Sequence, residues 1–264
     1  MRFAAIADIH GNSDALAAVL ADIASRGIDD VVNLGDHLSG PLEPVRTAEM
    51  LMACGFASIR GDQDRHMIDL HRAGDSSRRD VRALEQAHID WLAAQPATLI
   101  YRDDVFLCHG APDDDAAFWL EEVMADGTVR PNSLARIAAR ADGIDASLIL
   151  CGHSHVPRVV RLRDGRLIVN PGSVGLPGYR GRPPSSYRVE TGTPDACYAV
   201  LERGLRQWSV TLHYVPYDPA PMAALARSGG MHDWANAIAT GWVAGAADAA
   251  VLFAACAGIT PRRA

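Results

Sequence analysis

Residues 3–10 read FAAIADIH. A short apolar run, FAAIA, ends in Asp8 and, two residues on, in His10. The run reads as a buried β-strand. The next stretch, SDALAAVLADIASR at 13–26, spaces its apolar positions at helical intervals, with Ser13 the expected N-cap and Gly27 the expected C′ residue. A strand feeding a helix is the repeating unit of an α/β fold.

The same alternation continues along the chain. VVNL (31–34) is a second strand, and Gly40-Pro41 opens a helix running to about Ala53. FASI (56–59) is a third strand. Residues 64–95 read as helical, with a break at Gly74. ATLIY and VFLC, joined by RDD, read as a hairpin. Helical stretches are expected near 114–125 and 131–141, and a strand at SLILC (147–151). RVVRLRDGRLIVN is the clearest hairpin, turning at Asp164-Gly165. NPGSVGLPGYRGRPPSS is dense in Gly and Pro and reads as loop, CYAVLERGLRQWSVTLHYV as another hairpin, and residues 219–258 as helix. No repeat or linker interrupts the chain. One domain over 1–264 is expected, with a core at 1–215 and a helical C-terminal extension at 216–264.

Composition narrows the function. A chain of 264 residues with 48% hydrophobic and 22% charged residues suits a soluble globular protein with a sizeable core. A net charge of −7 argues against bulk nucleic-acid binding, which needs a basic face. Five cysteines without a CxxC pair argue against a disulfide framework or a thiolate cluster. The start, MRFAAIADIHG, lacks the pattern of a signal peptide. The segment GWVAGAADAAVLFAACAGI approaches spanning length but carries Asp248 and much Ala and Gly, so it reads as a packed helix and not a membrane span. A cytoplasmic location is expected.

The chemistry gathers where the apolar runs end. FAAIA is followed by Asp8 and His10, VVNL by Gly35-Asp36, FASI by Arg60-Gly61-Asp62, VFLC by His109-Gly110, and SLILC by Gly152-His153-Ser154-His155. Ligand sites in open α/β sheets form at the carboxyl ends of strands. Residues two apart in an extended segment share a face, so Asp8 with His10, and His153 with His155, can reach one site. Three carboxylates and four imidazoles suit Mn²⁺, Fe or Zn²⁺ better than Ca²⁺ or Mg²⁺. Seven ligands are too many for one ordinary ion, but they fit a pair of divalent ions sharing a bridging carboxylate.

Asp8-x-His10, Gly35-Asp36, Gly61-Asp62-Gln63-Asp64, His109-Gly110 and Gly152-His153-Ser154-His155, in this order, resemble the motifs of the calcineurin-like metallophosphoesterase superfamily. The loop NPGSVG (170–175) is similar to that of its small bacterial and archaeal phosphodiesterase branch. The resemblance spans about residues 1–215. It implies a sandwich of two mixed β-sheets flanked by helices. It also implies Asp8, His10 and His155 on one metal, Asp62, His109 and His153 on the other, and Asp36 bridging. The metals implied are Mn²⁺ or Fe foremost, with Zn²⁺, Ni²⁺ or Co²⁺ as alternatives. The reaction implied is hydrolysis of small phosphodiesters, phosphomonoesters or nucleotides by hydroxide formed at the metal pair.

Two positions depart from the family pattern. Asp62 stands where the family uses Asn, and Gln63 where it often has His or Cys. A glutamine amide donates a hydrogen bond but cannot deliver a proton, so Gln63 is the expected catalytic-position residue that favours good leaving groups. His37 and His66 lie near enough in sequence to substitute. Asp64 is expected to cap the helix after it or to orient a neighbouring ligand. Arg180 and Arg182, with His37, are the candidate substrate contacts, since guanidinium suits phosphate. Arg65 and Tyr179 are weaker candidates. The partner expected is a small phosphorylated substrate, with the C-terminal helices free to cap the cleft or to form a homo-oligomer face. Other readings are a serine/threonine protein phosphatase, a dinucleoside polyphosphate hydrolase, and a non-catalytic scaffold. The scaffold is disfavoured because every metal position keeps a metal-competent residue.

Overall fold

The computed structural model describes residues 1–181, 186–205 and 207–243. Strand β1 (Arg2–Ile6) divides its side chains between two interiors. Phe3 and Ala5, with Ala7 just beyond the strand, face a core shared with a second sheet. Ala4 and Ile6 face helix α1 (Ser13–Ser25). Burial on both faces explains why the run shows no polar alternation. Asn12, not Ser13, caps α1: its side-chain oxygen accepts from Ala15 N at 3.1 Å. Ser13 begins the helix and donates its hydroxyl to Glu43 at 2.5 Å.

Strands β2 (Val31–Asn33) and β3 (Ala57–Ser58) extend the sheet in parallel, with α2 (Pro44–Cys54) between them. The helix expected from Gly40 therefore starts later. Glu43 N donates to Gly11 O at 3.0 Å, Leu42 turns into a separate apolar cluster, and Pro44 supplies the first turn, where its missing N–H costs nothing. β3 is shorter than FASI because Arg60 N leaves the sheet to reach Pro96 O at 2.9 Å. Helices α3 (Asp62–Arg72), α4 (Arg79–Ala83) and α5 (Gln86–Ala94) follow, with the break at Gly74 as expected.

The second sheet begins with the expected hairpin of β4 (Leu99–Tyr101) and β5 (Val105–Leu107). The stretch expected to be helical near 114–125 instead contains β6 (Glu121–Val123), antiparallel to β7 (Val129–Pro131). Gly127 turns the chain between them at φ 83°, and buried Trp119 donates its indole N–H to Ile137 O at 3.1 Å. Turn chemistry and burial override the helix propensity of the Ala- and Glu-rich stretch. Helix α6 (Leu134–Arg140) precedes β8 (Leu148–Leu150), β9 (Arg158–Arg161) and β10 (Leu167–Asn170). Part of the expected Gly/Pro loop is strand, since β11 (Gly178–Arg180) pairs with β12 (Arg188–Glu190). The last hairpin is β13 (Ala196–Arg203) with β14 (Trp208–Val215), followed by α7 (Ala220–Ser228) and α8 (His232–Thr240).

The two five-stranded sheets run β14-β13-β1-β2-β3 and β4-β5-β8-β10-β9. The first is parallel across β1-β2-β3 and antiparallel through β13 and β14, and the second has a parallel centre, β5-β8-β10, between antiparallel edges. Phe3, Val32 and Leu34 from one side meet Leu107, Leu150 and Val169 from the other, and helices cover the outer faces. This is the mixed two-sheet sandwich expected from the sequence. α7 and α8 pack on Leu42 and Leu176, close to the strand ends. The remainder of the helix expected to 258, most of the Ala-rich segment and Cys256 lie outside the described residues. Among the described residues, no helix is long and apolar enough to cross a membrane.

Candidate active site

The loops leaving β1, β2, β3, β5 and β8 meet at one end of the sandwich. Asp8, His10, Asp36, His153 and His155 all adopt left-handed backbone, with φ of 55°, 52°, 55°, 67° and 60°. Non-glycine residues rarely tolerate this region, and such strain clusters at functional sites. Backbone hydrogen bonds sustain it here: Asp8 N to Gly35 O at 3.0 Å, His10 N to Asp36 O at 3.0 Å, and Gly152 N to His109 O at 2.6 Å. Gly35, at φ 100°, and Gly61 touch backbone to backbone. A Cβ on Gly61 would collide with Asp36 Oδ1 and stand 2.8 Å from His109 Cε1. Only glycine lets the two acidic loops approach this closely.

Asp64 ties the loops together. Its buried carboxylate accepts from Asp36 N at 2.8 Å, His37 N at 2.9 Å, Gly61 N at 2.9 Å and the His37 ring at 2.7 Å. Burial pushes the Asp64 carboxyl up, but the His37 charge and these donors outweigh it and hold it below the usual range. Both expected roles, helix cap and orienter of a neighbour, are present in one side chain.

The imidazoles are aimed by what their outer nitrogens bind. His109 Nδ1 donates to Leu34 O at 2.7 Å, and His155 Nδ1 to Leu176 O at 2.6 Å. A carbonyl can only accept, so Nδ1 carries the proton of the neutral ring and Nε2 faces inward, with a lone pair whenever the ring is neutral. His10 Nδ1 bonds Ser39 Oγ at 2.8 Å, and its Nε2 lies 3.1 Å from His155 Nε2. His153 Nδ1 is 3.0 Å from Asp62 Oδ1. Ligand atoms fall into three groups, each within 4.8 Å: Asp8 with His10 and His155; Asp62 with His109 and His153; and Asp8 with Asp36 and His109. Asp36 thus stands where the first two groups adjoin.

These contacts crowd carboxylates and ring nitrogens into one buried cluster. His109 Nε2 is buried without a hydrogen-bond partner, 3.4 Å from Asp36 Oδ1 and 3.3 Å from Asp62 Oδ1. His10 Nε2 can donate to His155 Nε2 when Ser39 donates to His10 Nδ1, and a cation between the two nitrogens could accept both instead. Burial foremost raises the Asp8 carboxyl, with Asp36 and Asp62 adding to it. Burial opposes charge on His109, yet the Asp36, Asp62 and Asp8 carboxylates raise it overall. Burial lowers His10 and His155. Burial works against Asp62 as well, but hydrogen bonds and charge from His109 and His153 hold it far below the carboxylate range. The donor set fits divalent cations, whose charge would replace these protons.

A cleft of about 750 Å³ opens over the cluster. Gln63 lines it, donating its side-chain amide to Asp62 Oδ2 at 2.6 Å and its backbone N–H to Asp36 Oδ1 at 3.0 Å. Arg180 lines it too, and pairs with Asp233 of α8 at 3.0 Å. Tyr179 packs against His155 at a tilt of 54°, with ring centroids 4.6 Å apart. Arg65 reaches the cleft while paired with Asp115. Arg182 lies outside the described residues. His37 does not reach the cleft: fully buried, it bonds Asp64 and packs edge-on against Trp91, so it cannot contact substrate there. His66, one turn along α3, does line the cleft. Sequence reasoning missed Trp234, Tyr187 and the pair Arg78-Arg79. Trp234 comes from far along the chain and stands edge-on to His10 at 5.7 Å. The adjacent arginines were the one local signal available.

A model of the calcineurin-like phosphoesterase superfamily domain matches residues 1–193. An uncharacterized protein of Methanocaldococcus jannaschii is 25% identical over 198 residues, which is 66% of this chain and 76% of that protein. Among solved structures, a metallophosphoesterase from Sphaerobacter thermophilus is 27% identical with a TM-score of 0.66, covering 88% of this chain and 95% of its own. A hypothetical protein from Pyrococcus horikoshii shares the fold at 18% identity and a TM-score of 0.67, covering 92% and 99%.

Proposed function

This chain belongs to the calcineurin-like phosphoesterase superfamily, and from that premise we propose that it is a metal-dependent hydrolase of small phosphoesters. Asp8, His10 and His155 would hold one divalent ion, Asp62, His109 and His153 a second, and Asp36 would serve both. The observation that carries this reading is the inward, partnerless Nε2 of His109 between Asp36 and Asp62. Mn²⁺ or Fe suits the mixed oxygen and nitrogen donors.

Bound divalent ions would supply a nucleophilic hydroxide near neutral pH and offset charge on the phosphoryl oxygens. The chain's own part is positional. The Leu34 and Leu176 carbonyls hold His109 and His155 in the tautomer that presents Nε2. Asp64 holds the loop of Asp36 against that of Asp62. Arg180 and Tyr179 line the cleft where the ester would lie. Gln63 reaches the same space with a hydrogen-bond donor and no transferable proton.

The test is elemental analysis of purified protein, run beside a screen of aryl monoesters, aryl diesters and nucleotides. Bound metal at about two equivalents with turnover of at least one class is expected. His153→Ala should abolish turnover while circular dichroism stays unchanged. Absence of metal together with absence of turnover would defeat the reading.

A further inference from the structure

The cleft is larger than one phosphoryl group requires; about 750 Å³ is the size of a whole small-molecule site. The candidate metal ligands line one part of it. Four guanidiniums also border it: Arg65, Arg78, Arg79 and Arg180. Arg65 is held by both Asp115 oxygens, and Arg180 pairs with Asp233. The Arg78-Arg79 pair is placed differently.

Asp80 anchors this rim. It is 5% exposed and accepts from Gly40 N at 2.8 Å and Val81 N at 3.0 Å. Gly40 belongs to the same loop as Ser39, which bonds His10. The start of α4 is therefore latched to the loop that carries part of the metal cluster. Asp80 also binds Arg78 through Nε, at 3.1 Å, and through Nη2. That fork orients Arg78 and leaves Nη1 available. The side chain of Arg79, next in sequence and exposed, makes no ion pair or hydrogen bond among the described residues. One guanidinium is fixed and its neighbour uncommitted, at a set position relative to the cluster.

We propose that the Arg78–Arg79 rim is a second anion subsite, taking a phosphoryl group of the substrate other than the one being hydrolysed. The inference rests on the hydrolase reading above and narrows it to substrates with at least two phosphoryl groups. Guanidinium forks match phosphate oxygens bidentately, and pre-orientation by Asp80 reduces the ordering cost of binding. Tyr187 and Tyr179 on the same cleft offer faces on which a base can stack.

Isothermal titration with inorganic pyrophosphate tests the subsite. Metal-depleted full-length protein is used, because oligophosphates chelate divalent ions. Wild type should bind, Arg79→Ala should bind roughly tenfold more weakly, and Arg79→Lys should fall between, as expected when a fork becomes a point charge. Arg163→Ala, on the exposed β9–β10 turn, controls for general charge and should bind as wild type does. Unchanged affinity in Arg79→Ala, no binding by wild type, or equal weakening by Arg163→Ala would each overturn the proposal. Adenosine diphosphate bound more tightly than pyrophosphate identifies a nucleotide; equal affinity identifies a non-nucleotide oligophosphate. Either result upholds the subsite. Turnover of an aryl phosphate by Mn²⁺-loaded wild type reports separately on the hydrolase reading, so the two failures are distinguishable.

Discussion

His109 Nε2 stands 3.3 Å from Asp62 Oδ1 with no hydrogen-bond partner, while its Nδ1 is committed to Leu34 O. In metal-free protein the surrounding carboxylates favour a proton on this ring and raise it above its ordinary 6.5 despite burial. A raised folded-state value means that the proton's contribution to metal-free stability is complete below 6.5 and is lost as pH rises through the raised value. A metal must displace that proton. Calorimetric Mn²⁺ titrations in buffers of different ionisation enthalpy should therefore show proton release at pH values above the ordinary 6.5. Binding without proton release there would contradict the assignment.

Asp62→Asn removes one of three carboxylates from the cluster. Two divalent ions against three carboxylates leave a formal charge of +1 before hydroxide; with Asn it is +2. The variant should lose metal at least about tenfold more readily during dialysis, because less negative charge offsets the ions. Elemental analysis after dialysis measures this. An unchanged metal content would show that Asp62 contributes through geometry alone.

Gln63 lies beside Asp62 with an amide where a proton donor would serve a leaving group. Rates should fall steeply as leaving-group pKa rises across a series of aryl esters. Gln63→His should flatten that dependence by supplying a group that titrates near neutrality. A series with equal rates in wild type, or an identical slope in Gln63→His, would remove Gln63 from the chemistry.

Trp234 couples the C-terminal helices to the site. Its ring meets His10 edge-on, and a Cβ on Gly40 would come within 2.5 Å of its Cη2. Trp234→Ala should lower stability by about 1–2 kcal/mol, less than for a fully buried tryptophan because the ring is only partly covered. Urea denaturation with an unchanged m-value gives the figure. A midpoint equal to wild type would mean that α8 does not brace the site.

Much of this protein was readable along the chain because the informative signals are local. A strand buried on both faces must be continuously apolar, and a side chain needed at its carboxyl end must follow it directly. The pairs Asp8 with His10 and His153 with His155, and the glycines beside Asp36 and Asp62, therefore stood in plain order. The β9–β10 hairpin was equally plain, because Asp164-Gly165 admits few other conformations. The hairpin at 121–131 was not. Its residues favour helix, and only the burial of Trp119 against Ile137 O and the turn at Gly127 reverse that preference. Nor could sequence distance separate His37 from His66. Both lie near the acidic loop, but Asp64 draws His37 into the interior while the helical turn carries His66 to the cleft. Which residues can approach the site was written in the order of strands and glycines. Which nitrogen each histidine presents, and which arginines and aromatics complete the cleft, depended on tertiary contacts: the Leu34 and Leu176 carbonyls, the Asp80 latch to Gly40, and Trp234 returning from α8.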